Sequence, residues 1–174
     1  GRTGASQTSF DNVFNYAIAE WLDDKENRFD SLVYVADREW NSWTQRCINR
    51  ADRILLLADA DPDNAADIRQ QERQLEALFS QSRIRPRIEL VLLHSSNTRV
   101  PQGTSRWLER RTLDAFYHVR INDPAHLSRL ARRLTHKARG VVFSGGGARG
   151  YAHLGVQRLI EDMTGGDRTN LVNI

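Results

Sequence analysis

Five short apolar runs, each leading into a stretch with helical spacing, constrain the fold of this 174-residue chain more than any other feature. They are "SLVYVAD" (31–37), "RILLLAD" (53–59), "IELVLLH" (88–94), "AFYHVRI" (115–121) and "RGVVFS" (139–144). None shows the apolar–polar alternation of a strand with one wet face, so each reads as a strand buried on both faces. Strands of that kind belong to parallel sheets, whose neighbours need a crossover, usually a helix. Helices fit between the runs. Phe10, Val13, Phe14, Ala17, Ile18, Trp21 and Leu22 recur at helical spacing, with Ser9 placed to cap them. Further helices fit 41–52 and 64–80, the latter with Asp63 as cap and Ile68, Leu75, Leu78 and Phe79 on one side. A loop at 95–104 leads to a short helix at 105–111. Asp123-Pro124 then opens a helix whose core face is Leu127, Leu130, Ala131 and Leu134. The pattern predicts an α/β fold: a doubly wound, largely parallel sheet with flanking helices.

Bulk properties narrow the function. No apolar run reaches the roughly 18 residues needed to cross a bilayer. A net charge of +3 is too small to imply nucleic acid. The one cysteine, Cys47, has no disulfide partner and no second thiol for a metal, which points to a reducing, cytoplasmic setting. The expected organisation is a tail at 1–8, an α/β domain at 9–137 and the start of a second unit at 138–174. The first residue is not Met, and the last residues, "TNLVNI", have no apolar run after them to pair with. The sequence reads as a piece of a longer protein.

The last strand runs into Gly145-Gly146-Gly147-Ala148-Arg149-Gly150 and then a helix. Glycines there allow positive φ and close backbone approach, and the helix adds free N–H groups and the positive end of its dipole. Four readings fit. A dinucleotide site needs an acidic residue ending the next strand, but Asp167 precedes the apolar "NLV" instead of following it. A phosphate-binding P-loop needs Lys-Ser or Lys-Thr after its last glycine, and Tyr151-Ala152 stand there. A plain strand-to-helix turn does not require three successive glycines and an arginine. The fourth reading is an oxyanion hole.

The stretch "GVVFSGGGARGYAHLGVQRLIED" resembles the opening of a patatin-like phospholipase domain. Upstream, "WTQRCINRADRILLLADAD", "ELVLLH" and "SRWLERR" resemble the segment that precedes that domain in neuropathy target esterase-like proteins. The resemblance covers about Trp21 to Asp162. It implies a Rossmann-like α/β domain followed by the first strand, loop and helix of a patatin-type α/β hydrolase. Within that loop it assigns Gly145, Gly146, Gly147, Arg149 and Gly150 to the oxyanion hole, with no cofactor and no metal. It also implies a phospholipid or lysophospholipid substrate, the cytoplasmic side of a membrane, and cyclic-nucleotide-binding domains upstream. The family's nucleophile, a serine in G-x-S-x-G, and its base, an aspartate in Asp-Gly-Gly or Asp-Gly-Ala, do not occur in these residues. Ser105 and Ser144 are the nearest serines and fit neither pattern. The chain as given is expected to be inactive alone. The alternative is a non-catalytic regulatory or binding module, sensing a nucleotide or a lipid, with an inert hydrolase remnant.

Smaller signals have bland readings beside sharp ones. Asp59, Asp61 and Asp63 alternate as in a calcium loop, but Asn64 stands where its glycine belongs and Gln70 where its final glutamate does. A strand-to-helix turn explains them, and such a loop also lines the crevice where these sheets bind ligands. Arg129, Arg132, Arg133, His136, Lys137 and Arg139 form a basic cluster, either a solvated helix end or a contact for anionic lipid. His153 reads as a packed helix residue. Trp40, Trp43 and Cys47 read as core.

Overall fold

A computed structural model describes residues 14–61, 63–64, 68–80, 85–109, 111–138 and 147–163. Its elements are α1 (Phe14–Arg28), α2 (Ser42–Arg50), β1 (Arg53–Asp59), α3 (Arg69–Phe79), β2 (Arg87–His94), α4 (Thr104–Leu108), β3 (Ala115–Arg120), α5 (Pro124–Leu134) and α6 (Tyr151–Met163). A 3-10 turn at Gly147–Gly150 leads into α6. The strands form a parallel sheet in the order β1-β2-β3 with helices flanking it, the α/β architecture read from the sequence. The chain divides into two units, Gly1–Leu56 with Gln70–Glu89, and Leu57–Arg69 with Leu90–Ile174.

In the first unit, polar bonds tie α1 to α2. Asn41 caps α2, its side chain accepting from the Thr44 N–H at 2.9 Å. The helix then buries Thr44, Arg46, Cys47 and Ile48. Arg46 donates to Asn15 Oδ1 at 2.8 and 3.2 Å. Arg50 reaches Asp23 at 2.6 Å and Glu26 at 3.0 Å. Burial pushes the Cys47 thiol up to about 11, so it is protonated and unreactive at neutral pH. Trp40 and Trp43 are half-buried.

The run at 31–37 departs from the expected strand. It joins no ladder, and Val33 and Val35 are 83% and 78% exposed. Side chains from α2 take its carbonyls: Trp43 Nε1 donates to Val35 O at 2.9 Å, and Thr44 Oγ1 to Asp37 O at 3.3 Å. Tyr34 donates its hydroxyl to Glu26. Apolar density signalled a strand; the local caps claim backbone groups that a ladder would use. The expected strand at 139–144 and the Ser9 cap lie outside the described residues.

Burial along the sheet follows strand position. Leu90, Val91 and Leu92 of the central β2 are at most 2% exposed, as a strand covered on both faces requires. On β1 and β3, Leu57 and Phe116 reach solvent. Glu89, also fully buried, sits between Arg53 and Arg87 on the first unit's part of the sheet, each 3.5 Å from its Oε1. In the second unit Trp107 of α4 is fully buried, and its indole N–H donates to Ala60 O at 3.3 Å. Arg111 lies over that ring, 5.4 Å from its centroid, and donates to Trp107 O.

Asp123 caps α5 as the sequence indicates, accepting from the Ala125 and His126 N–H groups, with Pro124 in the first turn. The helix is turned differently from expectation. Leu130 and Leu134 are half-buried, but Leu127 is 53% exposed and Ala131 faces solvent. His126, Arg129 and Arg133 are half-buried instead, with Arg133 stacked over Tyr117 of β3 at 5.9 Å. Asp63 does not cap α3, which starts at Arg69; Asp63 and Asn64 form a separate 3-10 turn.

Two substitutions test these anchors. Glu89→Ala leaves two guanidiniums without their shared carboxylate and is expected to cost about 3 kcal/mol. Trp107→Ala opens a cavity and is expected to cost about 3–5 kcal/mol. Urea midpoints of both variants against the parent check the two values.

Candidate functional site

The glycine loop is described from Gly147 onward. Gly147 has φ +53°, the left-handed region in which a side chain is strained. This position therefore needs glycine for its backbone alone. Gly150 has no such φ, and nothing lies within 4 Å of where a Cβ would stand at Gly147 or Gly150. The loop feeds α6 directly, and that helix carries no acidic residue in its first turn to occupy the N–H groups. An open depression of about 540 Å³ is lined by Gly147, Gly150, Tyr151 and Leu154. Gly145, Gly146 and Ser144 lie outside the described residues, as does the Arg149 side chain. His153 is half-buried on α6, and Ser105 is exposed on α4. The described structure brings Gly147 and Gly150 together and adds no nucleophile to them.

A second polar cluster, which the sequence did not single out, lies in the second unit toward the carboxyl ends of the strands. His94 ends β2 and His118 lies on β3; His94 Nε2 and His118 Nδ1 are 2.7 Å apart. Thr104 Oγ1 is 3.4 Å from His118 Nε2, and Phe116 meets the His118 ring edge-on at 5.8 Å. His126 from α5 takes the Arg120 backbone N–H at 3.2 Å. Position was a signal for His94 alone, which ends its run, whereas His118 stands in the middle of its run. Pairing them required knowing that β2 and β3 are neighbours.

The aspartates after β1 turn inward on their own loop. Asp59 Oδ1 accepts from the Asp61 N–H, and Asp61 Oδ1 from the Asp63 N–H. Arg106 meets Asp63 at 3.2 Å. Among the described residues no group of three His, Cys, Asp or Glu is placed to hold a metal ion. The basic residues have separate contacts: Arg129 lies beside His126, Arg132 donates to Ser128 Oγ, Arg133 stacks on Tyr117, and Lys137 is exposed. Among the described residues no helix is long and apolar enough to cross a membrane.

Burial lowers the pKa of all three histidines. Neighbouring positive charge adds to this: His126 at His94, His94 and Arg129 at His118, and Arg129 at His126. In the neutral state one of His94 and His118 donates and the other accepts; doubly protonated, two donors face each other. The unfolded chain therefore binds protons first, near the ordinary histidine value of about 6.5. Stability is expected to be full above that pH and to fall below it. Urea midpoints taken at about pH 7.5 and 5.5 check the sign, and His94→Gln should flatten the slope.

Comparison with known proteins bears on both clusters. A family model described as the Neuropathy Target Esterase family P-loop like domain matches residues 4–143. The chain is 32% identical to the putative patatin-like phospholipase domain-containing protein M110.7 of Caenorhabditis elegans, over 87% of this chain and 17% of that protein. It is 33% identical to neuropathy target esterase sws of Drosophila grimshawi, over 90% of this chain and 13% of that protein. It is 30% identical to lysophospholipase NTE1 of Yarrowia lipolytica, over 88% of this chain and 14% of that protein. The chain thus spans about a sixth or less of the length of these relatives. No solved structure matches it. The family span stops at residue 143, before the glycine loop, and its only glycines are Gly4, Gly103 and Gly140. A G-x-x-x-x-G-K-[ST] loop is therefore absent from it, so "P-loop like" describes the domain and not an intact phosphate loop. With residues 4–143 matched throughout, the chain belongs to the neuropathy target esterase family.

Proposed function

We propose that this chain is part of a lipid-ester hydrolase of the patatin-like type. It contributes the α/β domain that precedes the hydrolase together with the hydrolase's oxyanion loop, Gly145, Gly146, Gly147, Arg149 and Gly150. The observation that carries the reading is the alignment with the fly, worm and yeast relatives over nearly nine-tenths of the chain, under names that say phospholipase, esterase and lysophospholipase. The left-handed Gly147, the open space before Gly150 and the uncompensated start of α6 support it.

In this reading a serine elsewhere in the parent protein attacks the ester carbonyl of a phospholipid or lysophospholipid. The carbonyl oxygen gains a negative charge as the tetrahedral intermediate forms. Backbone N–H groups around Gly146 and Gly147 donate to that oxygen, and the α6 dipole adds favourable potential. Collapse expels the alcohol of the lipid, and water then releases the acyl group from the serine. These 174 residues hold no G-x-S-x-G, so the chain alone supplies oxyanion stabilisation without the attacking group. The exposed Lys137, with Arg129, Arg132 and Arg133, would favour an anionic membrane surface, and cyclic-nucleotide-binding domains would lie upstream.

The rival reading is a non-catalytic binding module. It draws on the family match, which ends at residue 143 and leaves the glycine loop outside. Fluorophosphonate labelling, followed by intact mass, separates the two when applied to this chain and to the whole parent protein. Label on the parent alone is expected. Label on neither supports the binding module, and label on this chain would mean a serine here is the nucleophile. In the parent, Gly147→Ala is expected to slow labelling by at least about tenfold by straining the loop. Gly155→Ala, inside α6 with free space around it, should label normally and be more stable by roughly 0.5–1 kcal/mol.

A further inference from the structure

We propose that the end of β3 and the first turns of α5 form a binding site for a phosphate-type dianion, held by Arg120, Arg129 and the ring of His126. The inference stands on these residues and does not depend on the hydrolase reading.

The geometry is a surplus of donors. Three N–H groups converge on the two ring nitrogens of His126. The Arg120 backbone N–H lies at 3.2 Å from Nδ1, Arg129 Nη2 at 3.4 Å from Nδ1, and Arg120 Nη2 at 3.3 Å from Nε2. A neutral imidazole offers one lone pair for hydrogen bonding and carries one N–H of its own. Whichever tautomer forms, donors outnumber acceptors. One carboxylate is near: Asp123 Oδ2 stands 3.7 Å from both Arg120 Nε and His126 Nε2. Its other oxygen is spent on the cap of α5.

The charge is also unbalanced. Arg129 and Arg133 have no carboxylate within ion-pair distance among the described residues, and Arg120 has only the loose contact to Asp123. Arg129 is half-buried, which disfavours its charge; Arg133 and Arg120 add to that, and Asp123 opposes it. Among the described residues, Asp123 is the one carboxylate that acts on Arg120 and Arg129. A half-buried arrangement of that kind is stabilised by an anion with several acceptor oxygens. A tetrahedral phosphate matches guanidinium forks in geometry and charge better than chloride does. Side chains of Arg120, Asp123 and His126 keep about a fifth to a third of their surface exposed, so the cluster is open to solvent.

The ligand class is a phosphate monoester, presented either free in solution or as a lipid headgroup. Calorimetry with inorganic phosphate, at ionic strength matched with sodium chloride, tests the first source. Flotation with phosphatidylcholine vesicles, with and without phosphatidic acid, tests the second. Binding in either arm is expected, and Arg129→Gln or Arg120→Gln should weaken it by about tenfold. Arg106→Gln, an exposed cation on α4 that pairs with Asp63, should change it little. The ring resonance of His126 should shift toward the protonated form with phosphate present. Both arginine variants reduce like-charge crowding, so their unfolding midpoints in phosphate-free buffer should not fall; if one fails to fold, the other serves. Phosphate binding no better than chloride, with no preference for phosphatidic acid, would overturn the site. Equal losses in Arg129→Gln and Arg106→Gln would overturn it too, because a diffuse basic surface would then explain the attraction.

Discussion

The central strand sets the terms for everything else. Leu90, Val91 and Leu92 are all but excluded from water, so both faces of β2 must be covered and both its edges paired. A parallel strand cannot be joined to its neighbours by tight turns. The connections therefore run through α3 and α4, and the carboxyl ends of β2 and β3 come out together. That places His94 and His118 side by side although 24 residues separate them. Glu89 follows from the same constraint. A carboxylate with no exposed surface is tolerable only with cations against it, and Arg53 and Arg87 stand on either side.

Legibility of the fold divides along the line between local and nonlocal physics. The three strands were readable because unbroken apolar runs of that length fit a sheet buried on both faces, and the Asp123-Pro124 cap because its chemistry lies within four residues. The run at 31–37 has the same composition as the true strands. Its fate was decided by Trp43 and Thr44, which took carbonyls seven and eight residues back. The apolar positions of α5 predicted its core face only in part. The turn it adopts puts His126 and Arg129 against the end of β3, where Arg120 and His118 are. Polar demand at a strand end outweighed burial of Leu127 and Ala131.

At the candidate sites the same division holds. Gly147 was legible because a left-handed position that leads into a helix calls for glycine. The histidine cluster was not, because no single one of His94, His118 and His126 has a neighbour in sequence that marks it. The aspartates after β1 looked like a ligand loop, yet the structure spends Asp59 and Asp61 on backbone N–H groups of that loop. An acidic turn of that kind repels phosphate.

That acidic turn sharpens the contrast across the carboxyl edge of the sheet. Asp59 ends β1, His94 ends β2, and Arg120 ends β3. Adjacent strands lie about 4.8 Å apart, so β1 and β3 are separated by roughly 10 Å. Over that distance in water, opposite charges attract by only about 0.4 kcal/mol, and physiological salt removes most of it. The aspartates therefore cannot neutralise the arginines at β3 and α5, and the two groups remain separate fields. Between them sit histidines kept neutral by burial and by the cations beside them. Had the chain needed only a stable edge, Asp123 could have been joined by a second carboxylate among the arginines. Among the described residues it is not, and the positive charge at the end of β3 exceeds what Asp123 balances.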